Sequence, residues 1–410
     1  MEAAQLSADF GKFASLRQLA GVVVANSIVI VAGYLAVVAL VWGIADASIA
    51  QPRDFERYAA GPAAAPHWRV AHLSDIHMVG ERYGFRIESG RSGPRGNLLT
   101  ERALGRLASI HAEAPLDAIL ITGDLTDAGR SSEWAEFFDA LTPFPQLAER
   151  LLILPGNHDL NIVDRCNPAR LDLPTSPNKR LRKLRVLSAM CALEGGRVRV
   201  VDRVHRRVGA CLEEALSPHL GWLSNFADCG KPRWSGKLTD LWASIFPLIL
   251  PPDTEGGLGF ILLNSNSDTH FSFTNALGMI SSEQVEGIEI ACAQYPRACW
   301  IIALHHHLIE YPRAAKAFSE RIGTALINGN WFLRRLQPLA RQVVLMHGHR
   351  HLDWIGECAG LLIVSAPSPV MGAAENAGAS FYIHTLRAGP NGCIEMLEPE
   401  RVLLALPTER

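Results

Sequence analysis

Eight short apolar runs, each of about six to eight residues and each ending in a polar cluster, follow one another from residue 67 onward: WRVAHLS, DAILITG, RLLILPG, LGFILLNS, CWIIALH, QVVLMHG, LLIVSAP and SFYIHTL. Runs of this length and composition read as buried strands. Helical patterns separate them: TERALGRLASIHAEA, SSEWAEFFDALT, SSEQVEGIEIACAQY and AAKAFSERIGTALI, with Ser281 or Ser282 as an N-cap for the third. Alternation of strands and helices predicts layered α/β packing. It is compatible with mixed sheets.

The N-terminal region obeys a different rule. No charged side chain occurs between Arg17 and Asp46, and LAGVVVANSIVIVAGYLAVVALVWGIA is an apolar run of about 27 residues. As a helix it would reach roughly 40 Å, more than the roughly 30 Å of a bilayer's hydrocarbon layer. Residues 19–45 are therefore read as a retained transmembrane helix behind a short segment, 1–18. A cleaved signal peptide is the rival reading, with Ser48-Ile49-Ala50 as its small-residue site, but its apolar region should be about half as long. The eight cysteines show no CxxC spacing and no compact disulfide framework, which leans toward a cytoplasmic catalytic part of a single-pass membrane protein.

An Ala/Pro-rich linker, 46–66, follows. From 160 to 257 the strand rhythm stops, and this stretch reads as a largely helical insertion or cap. Residues 160–210 hold 12 Lys/Arg against 4 Asp/Glu, although the whole chain has a net charge of −2. That balance excludes a globally basic nucleic-acid binder, and no aromatic interleaving accompanies the local charge. The segment KRLRKLR reads either as a solvated helix face or as a guide for an anionic substrate or lipid headgroup. The catalytic domain is thus 67–159 and 258–390, with a tail at 391–410.

The chemistry sits where strands stop. The first ends in Asp75-Ile76-His77, the second in Gly123-Asp124 with Asp127 beyond, and the third in Gly156-Asn157-His158-Asp159. Two later runs end in His305-His306-His307 and in His347-Gly348-His349-Arg350-His351. Any one cluster alone reads as turn and cap residues. Jointly they matter, because strand carboxyl ends of an open α/β sheet converge on one crevice. Carboxylate, amide and imidazole donors without a thiolate suit Mn, Fe or Zn, and two such ions about 4 Å apart clamp both oxygens of a displacement.

The set DIH, GDLTD, GNHD, the histidine triplet and GHRH, in this order, resembles the calcineurin-like metallophosphoesterase family over residues 67–390 less the insertion. The resemblance implies a two-sheet αββα sandwich that hydrolyses a phosphomono-, phosphodi- or pyrophosphate ester through a hydroxide bridging two divalent metal ions. It implies that Asp75, His77 and His351 hold one metal, that Asp124 bridges, and that Asn157, His306 and His349 hold the other. The family's usual motif has proline where Leu308 stands. Aligning HHHL with HHHP selects His306, with His305 and His307 as alternatives. His158 resembles the catalytic histidine that protonates the leaving oxygen, and Asp127 the acid that orients it. Ala128 replaces the arginine usual in the family's protein phosphatases, which argues against that subtype.

For Asp127 a helix-terminal carboxylate is the plain alternative. Asp159 is read as a loop hydrogen-bonding residue, His347 as packing and Arg350 as solvated. The expected partners are a phosphoester substrate, lipid-linked or membrane-proximal, and the membrane itself. A soluble nucleotide or cyclic nucleotide is the enzymatic alternative, and a non-catalytic scaffold that keeps the fold is the alternative from another class.

Overall fold

A computed structural model describes residues 16–47, 51–60, 67–80, 95–164, 166–174, 176–229, 237–312, 326–370, 379–389 and 392–404. It divides into two units, residues 1–51 and 52–410. In the first, one helix runs Leu16–Ala47. Its Ala20–Val41 portion, 22 residues with mean hydropathy 2.4, is long and apolar enough to cross a membrane.

The second unit holds the strands, in chain order β1 (Arg53–Asp54), β2 (His67–Leu73), β3 (Ala118–Ile121), β4 (Leu151–Ile153), β5 (Arg199–Asp202), β6 (Arg207–Cys211), β7 (Leu248–Leu250), β8 (Leu258–Leu262), β9 (Cys299–Ala303), β10 (Val343–His347), β11 (Trp354–Cys358), β12 (Leu361–Ser365), β13 (Ser380–Ala388), β14 (Ile394–Met396) and β15 (Glu400–Leu403). They form two sheets. One is ordered β14-β13-β2-β3-β4, with β15 also on β13, and the other β1-β11-β12-β10-β9-β8-β7-β5-β6. Within them β2-β3-β4 and β8-β9-β10-β12 are parallel, whereas β13, β11 and β7 run antiparallel to their neighbours.

The side-chain period of two decides where each residue of the larger sheet goes. Phe260, Leu262, Ile301, Ala303, Val344 and Met346 join one core with β2, β3, β4 and β13, and with the helices Arg95–Glu113 and Ser131–Leu141. The intervening Ile261, Trp300, Ile302, Val343 and Leu345 join a second core beneath the helices Ser282–Gln294 and Gly329–Leu336. This is the predicted mixed α/β architecture with two sheets. Ser281 caps its helix as expected, accepting from the Gln284 amide at 3.4 Å. The AAKAFSERIGTALI pattern lies largely outside the described residues.

The 160–257 stretch is mostly helical, but it also supplies β5, β6 and β7, which extend the larger sheet. These strands are three to five residues long, and β5 and β6 are only half-buried, so no apolar run announces them. No disulfide links the described cysteines.

One consequence of the core is testable by pH. His384 on β13 lies beside His72 on β2, ring centroids 5.8 Å apart, and both are buried. Burial pushes His384 down to about 4. Its folded pKa is below its unfolded one, so the unfolded chain binds the extra proton first and stability falls as pH drops from about 6.5 to about 4. The loss amounts to about 3 kcal/mol at 1.36 kcal/mol per pH unit. Urea unfolding at pH 7 and pH 4.5 should show a drop of at least this size, and His384→Leu should remove His384's share of it while His72 and His347, lowered by burial in the same way, keep theirs.

Candidate metal centre

Five loops leave the carboxyl ends of β2, β3, β4, β9 and β10, and main-chain hydrogen bonds continue the pairing past the strands. Asp75 N–H donates to the Gly123 carbonyl at 3.0 Å, His77 N–H to the Asp124 carbonyl at 2.9 Å, and Gly348 N–H to the His305 carbonyl at 3.1 Å. Other bonds cross from one sheet to the other. The His349 amide donates to Asp75 Oδ2 at 2.9 Å, and His305 Nδ1 meets the Thr122 carbonyl at 2.8 Å.

The backbone here is unusual. Asp75, His77, Asp124, His349 and His351 all have φ between 41° and 73°, five of the seven non-glycine residues in that region among the described residues. Each left-handed residue costs on the order of 1 kcal/mol or more, and such residues gather at functional sites. These left-handed turns lie where Asp75 and His77, and His349 and His351, approach the centre. Two glycines let the loops close: a Cβ at Gly156 would stand 2.1 Å from both the amide nitrogen and Oδ1 of Asp124, and one at Gly348 would stand 1.7 Å from Ser74 Oγ.

Two groups of donor atoms share Asp124. In the first, Asp75 Oδ1 is 3.1 Å from His351 Nε2 and 3.8 Å from His77 Nε2, which is 3.8 Å from Asp124 Oδ2. In the second, His305 Nε2 is 3.3 Å from Asp124 Oδ2, 3.0 Å from Asn157 Oδ1 and 3.1 Å from His349 Nδ1. Because His305 Nδ1 donates to Thr122, a neutral His305 turns a lone pair at Nε2 toward two oxygen acceptors. Only positive charge reconciles them. Ligands about 2.1 Å from a common ion stand roughly 3.4 Å apart in a tetrahedron, which matches these spacings. The oxygen and nitrogen donor set fits a hard or borderline divalent cation.

The electrostatics agree. Burial alone would lower His305, but the charge and hydrogen bond of Asp124, with the charge of Asp75, raise it to about 9. Burial pushes Asp75 up, yet the charge and hydrogen bond of His351, then His305 and Ser74, hold it below the usual carboxylate range. His349 is driven well down by burial and by His306, His305, His307 and His351, and its buried Nε2 has no hydrogen-bond partner. Asp75 and Asp124 thus favour positive charge at His351 and His305, while burial and neighbouring imidazoles disfavour it at His349; a cation at the centre would take the place of those protons.

The structure brings together Asp75, His77, Asp124, Asn157, His349 and His351, and of the histidine triplet it sets His305 Nε2 beside Asp124 and Asn157. His305, the first residue past β9, turns toward Asp124 and Asn157. His306 places Nδ1 2.9 Å from Ser265 Oγ, and its ring lies against Gly278 and 4.6 Å, centroid to centroid, from that of His349. His307 lies 3.7 Å from Glu310. Three consecutive histidines with leucine in the proline's place give no phase, and the strand's last register supplies it.

His158 is half-buried at the rim. Its amide donates to Asp124 Oδ1 at 2.8 Å, which leaves Oδ2 to face both groups. Its Nδ1 meets the main-chain carbonyl of Asp127 at 2.7 Å, and its ring stands edge-on to His77, centroids 4.6 Å apart. The His158 ring thus bonds to Asp127's main-chain carbonyl, while the Asp127 carboxylate lies 3.5 Å from His77 Nδ1. Asp159 behaves as read. It is buried, accepts from Thr126 N and Oγ1 at 2.8 and 2.7 Å and from Gly156 N at 2.9 Å, and so ties the GDLTD loop to the GNHD loop.

The basic stretch faces inward, contrary to both readings given above. Lys179 is buried, donates to the Thr269 carbonyl at 2.7 Å and pairs with Asp268 at 2.7 Å. Buried Arg182 donates to the Leu160 carbonyl at 2.7 Å and pairs with Asp172, and Arg185 donates to the Gly129 carbonyl at 2.8 Å. Sequence reasoning missed that these cations brace the loops carrying His158 and Asp127, because charge alone does not show its partner. Arg350, read as solvated, pairs with Glu310 at 3.1 Å and lies over Tyr311.

Comparison with known proteins agrees with the motifs. Residues 69–207 match the family model for calcineurin-like phosphoesterase. A curated relative, the cAMP/cGMP dual specificity phosphodiesterase MT0825 of Mycobacterium tuberculosis (strain CDC 1551 / Oshkosh), is 27% identical over 197 residues, covering 47% of this chain and 55% of its own length. Among solved structures, a dimetal phosphatase from Danio rerio overlaps 82% of this chain and 99% of its own at 11% identity and TM-score 0.45. The purple acid phosphatase PPD1 from yellow lupin overlaps 80% and 52% at 15% identity and TM-score 0.35. The motif order and the family model thus agree in a likeness to the calcineurin-like phosphoesterases over residues 69–207, and the chain spans about half the length of the curated relative.

Proposed function

We propose that this chain is a membrane-anchored phosphoesterase whose centre takes two divalent cations, Mn, Fe or Zn. Asp75, His77 and His351 would hold one ion, Asn157, His305 and His349 the other, and Asp124 both. The observation that carries this reading is the convergence of His349 Nδ1, Asn157 Oδ1 and Asp124 Oδ2 on His305 Nε2, each within about one ligand spacing of it. When bound, the cations supply Lewis acidity and positive charge to a phosphoryl group.

The residues do the rest. With its Nδ1–H donated to the Asp127 carbonyl, His158 presents Nε2 as the atom that carries a proton to the leaving oxygen. Asp127, beside His77 Nδ1, fixes that ring's orientation, as carboxylates commonly do for metal-ligating histidines. Asp127→Ala should therefore weaken metal affinity about 10–100-fold. It should leave the pH profile of the remaining turnover in place, because the His158 bond comes from the main chain. A shifted basic limb at unchanged metal affinity would assign the carboxylate to His158 instead.

The apolar helix supports a membrane-proximal or lipid-linked phosphoester as substrate, with the chain as a single-pass protein. A cyclic nucleotide is the second reading, favoured by the curated relative's activity. Turnover of a phospholipid ester in vesicles against that of cAMP separates the two.

A further inference from the structure

Outside the N-terminal helix, eleven large apolar side chains are exposed among the described residues, and six of them, Leu171, Leu173, Phe271, Phe273, Met279 and Ile327, belong to segments joined by main-chain hydrogen bonds. Leu171 pairs with Phe271 and Gly278 with Leu326 as isolated bridges, Ser272 N–H donates to the Arg170 carbonyl at 3.1 Å, and Ile327 N–H to the Gly278 carbonyl at 2.8 Å. The segments are fastened to the metal centre. Asn161, just past the helix bearing Asn157 and His158, donates to the Asn275 carbonyl at 2.8 Å; Asn266 donates to the Pro155 carbonyl at 2.9 Å; Gly278 packs on the His306 ring. Phe273 is 62% exposed, Leu173 54%, Leu171 49% and Phe271 41%.

Apolar groups clustered at this exposure mark a surface meant for an apolar phase. Resting on the phosphoesterase reading, we infer that this rim inserts into the surface of a lipid bilayer, so that the centre takes a phosphoester whose apolar body remains in the membrane. Two observations favour lipid over a nucleobase. The same chain carries a helix fit to cross a bilayer. Phe271 and Phe273 also stack on each other, centroids 5.4 Å apart at 25°, so each already occupies a ring face of the other, while the remaining four side chains are aliphatic.

The test uses the full chain in phosphatidylethanolamine/phosphatidylglycerol vesicles, with one nitroxide introduced through an unnatural amino acid at Phe273. A second protein carries it at Val204, which is 87% exposed in the turn between β5 and β6. Insertion predicts that the label at 273 collides more with dissolved oxygen than with a water-soluble nickel chelate, and that the label at 204 does the reverse. Equal chelate access at both positions would overturn the inference. So would protection of position 273 only on addition of a cyclic nucleotide, which would assign the rim to a base. Turnover of a soluble chromogenic phosphodiester by unlabelled protein in the same vesicles reports separately on the hydrolytic site.

Discussion

Replacing Asp124 with alanine is expected to reduce turnover of a chromogenic phosphodiester by about 1,000-fold or more. The buried carboxylate faces both donor groups through Oδ2 and fixes the GNHD loop through Oδ1. In the proposed centre Asp124 would be a ligand to both cations, whose charge stabilisation of a phosphoryl transition state would be worth several kcal/mol at 1.36 kcal/mol per tenfold. Asp124→Asn separates charge from packing. It keeps an acceptor for the His158 amide, so the fold should persist while metal binding and turnover fall. Wild-type turnover by either variant would remove Asp124 from the mechanism.

Arg182→Met should destabilise the protein by about 3–5 kcal/mol, because it strands the buried Asp172 carboxylate and leaves the Leu160 carbonyl without its donor. Leu160 ends the short helix that begins at Asn157, so the surviving folded protein should also lose metal affinity. Chemical denaturation gives the first quantity and metal titration the second. A double variant, Arg182→Met with Asp172→Leu, replaces the pair by apolar groups and should recover much of the stability. A variant as stable as wild type with Arg182→Met alone would return the basic stretch to a solvated face.

These two residues mark how far the sequence could be read. Asp124 was legible because it belongs to a cluster that ends a fully buried strand, and five such clusters in order leave little room for chance. The eight apolar runs all became strands: six are buried along their whole length, which writes a continuous signal, and β2 and β13 are buried in part. Strands toward the ends of the larger sheet, β5, β6 and β11, are only partly buried and passed unread. Arg182 was illegible because a guanidinium's fate depends on Asp172 and Leu160, whose approach only tertiary packing decides. His305 lay between these cases. The triplet was visible, but its phase was set by where β9 ends and by the Thr122 carbonyl that receives Nδ1. Nor could any pattern show that five site residues adopt left-handed backbone.

Elemental analysis of the purified full chain after metal-replete expression tests the two-cation centre most directly. About two equivalents of Mn, Fe or Zn per chain are expected. Asp124→Asn should hold fewer, and chelation should abolish phosphodiester turnover until a divalent ion is restored. A folded protein that turns over the ester at full rate while holding no divalent metal would contradict the account.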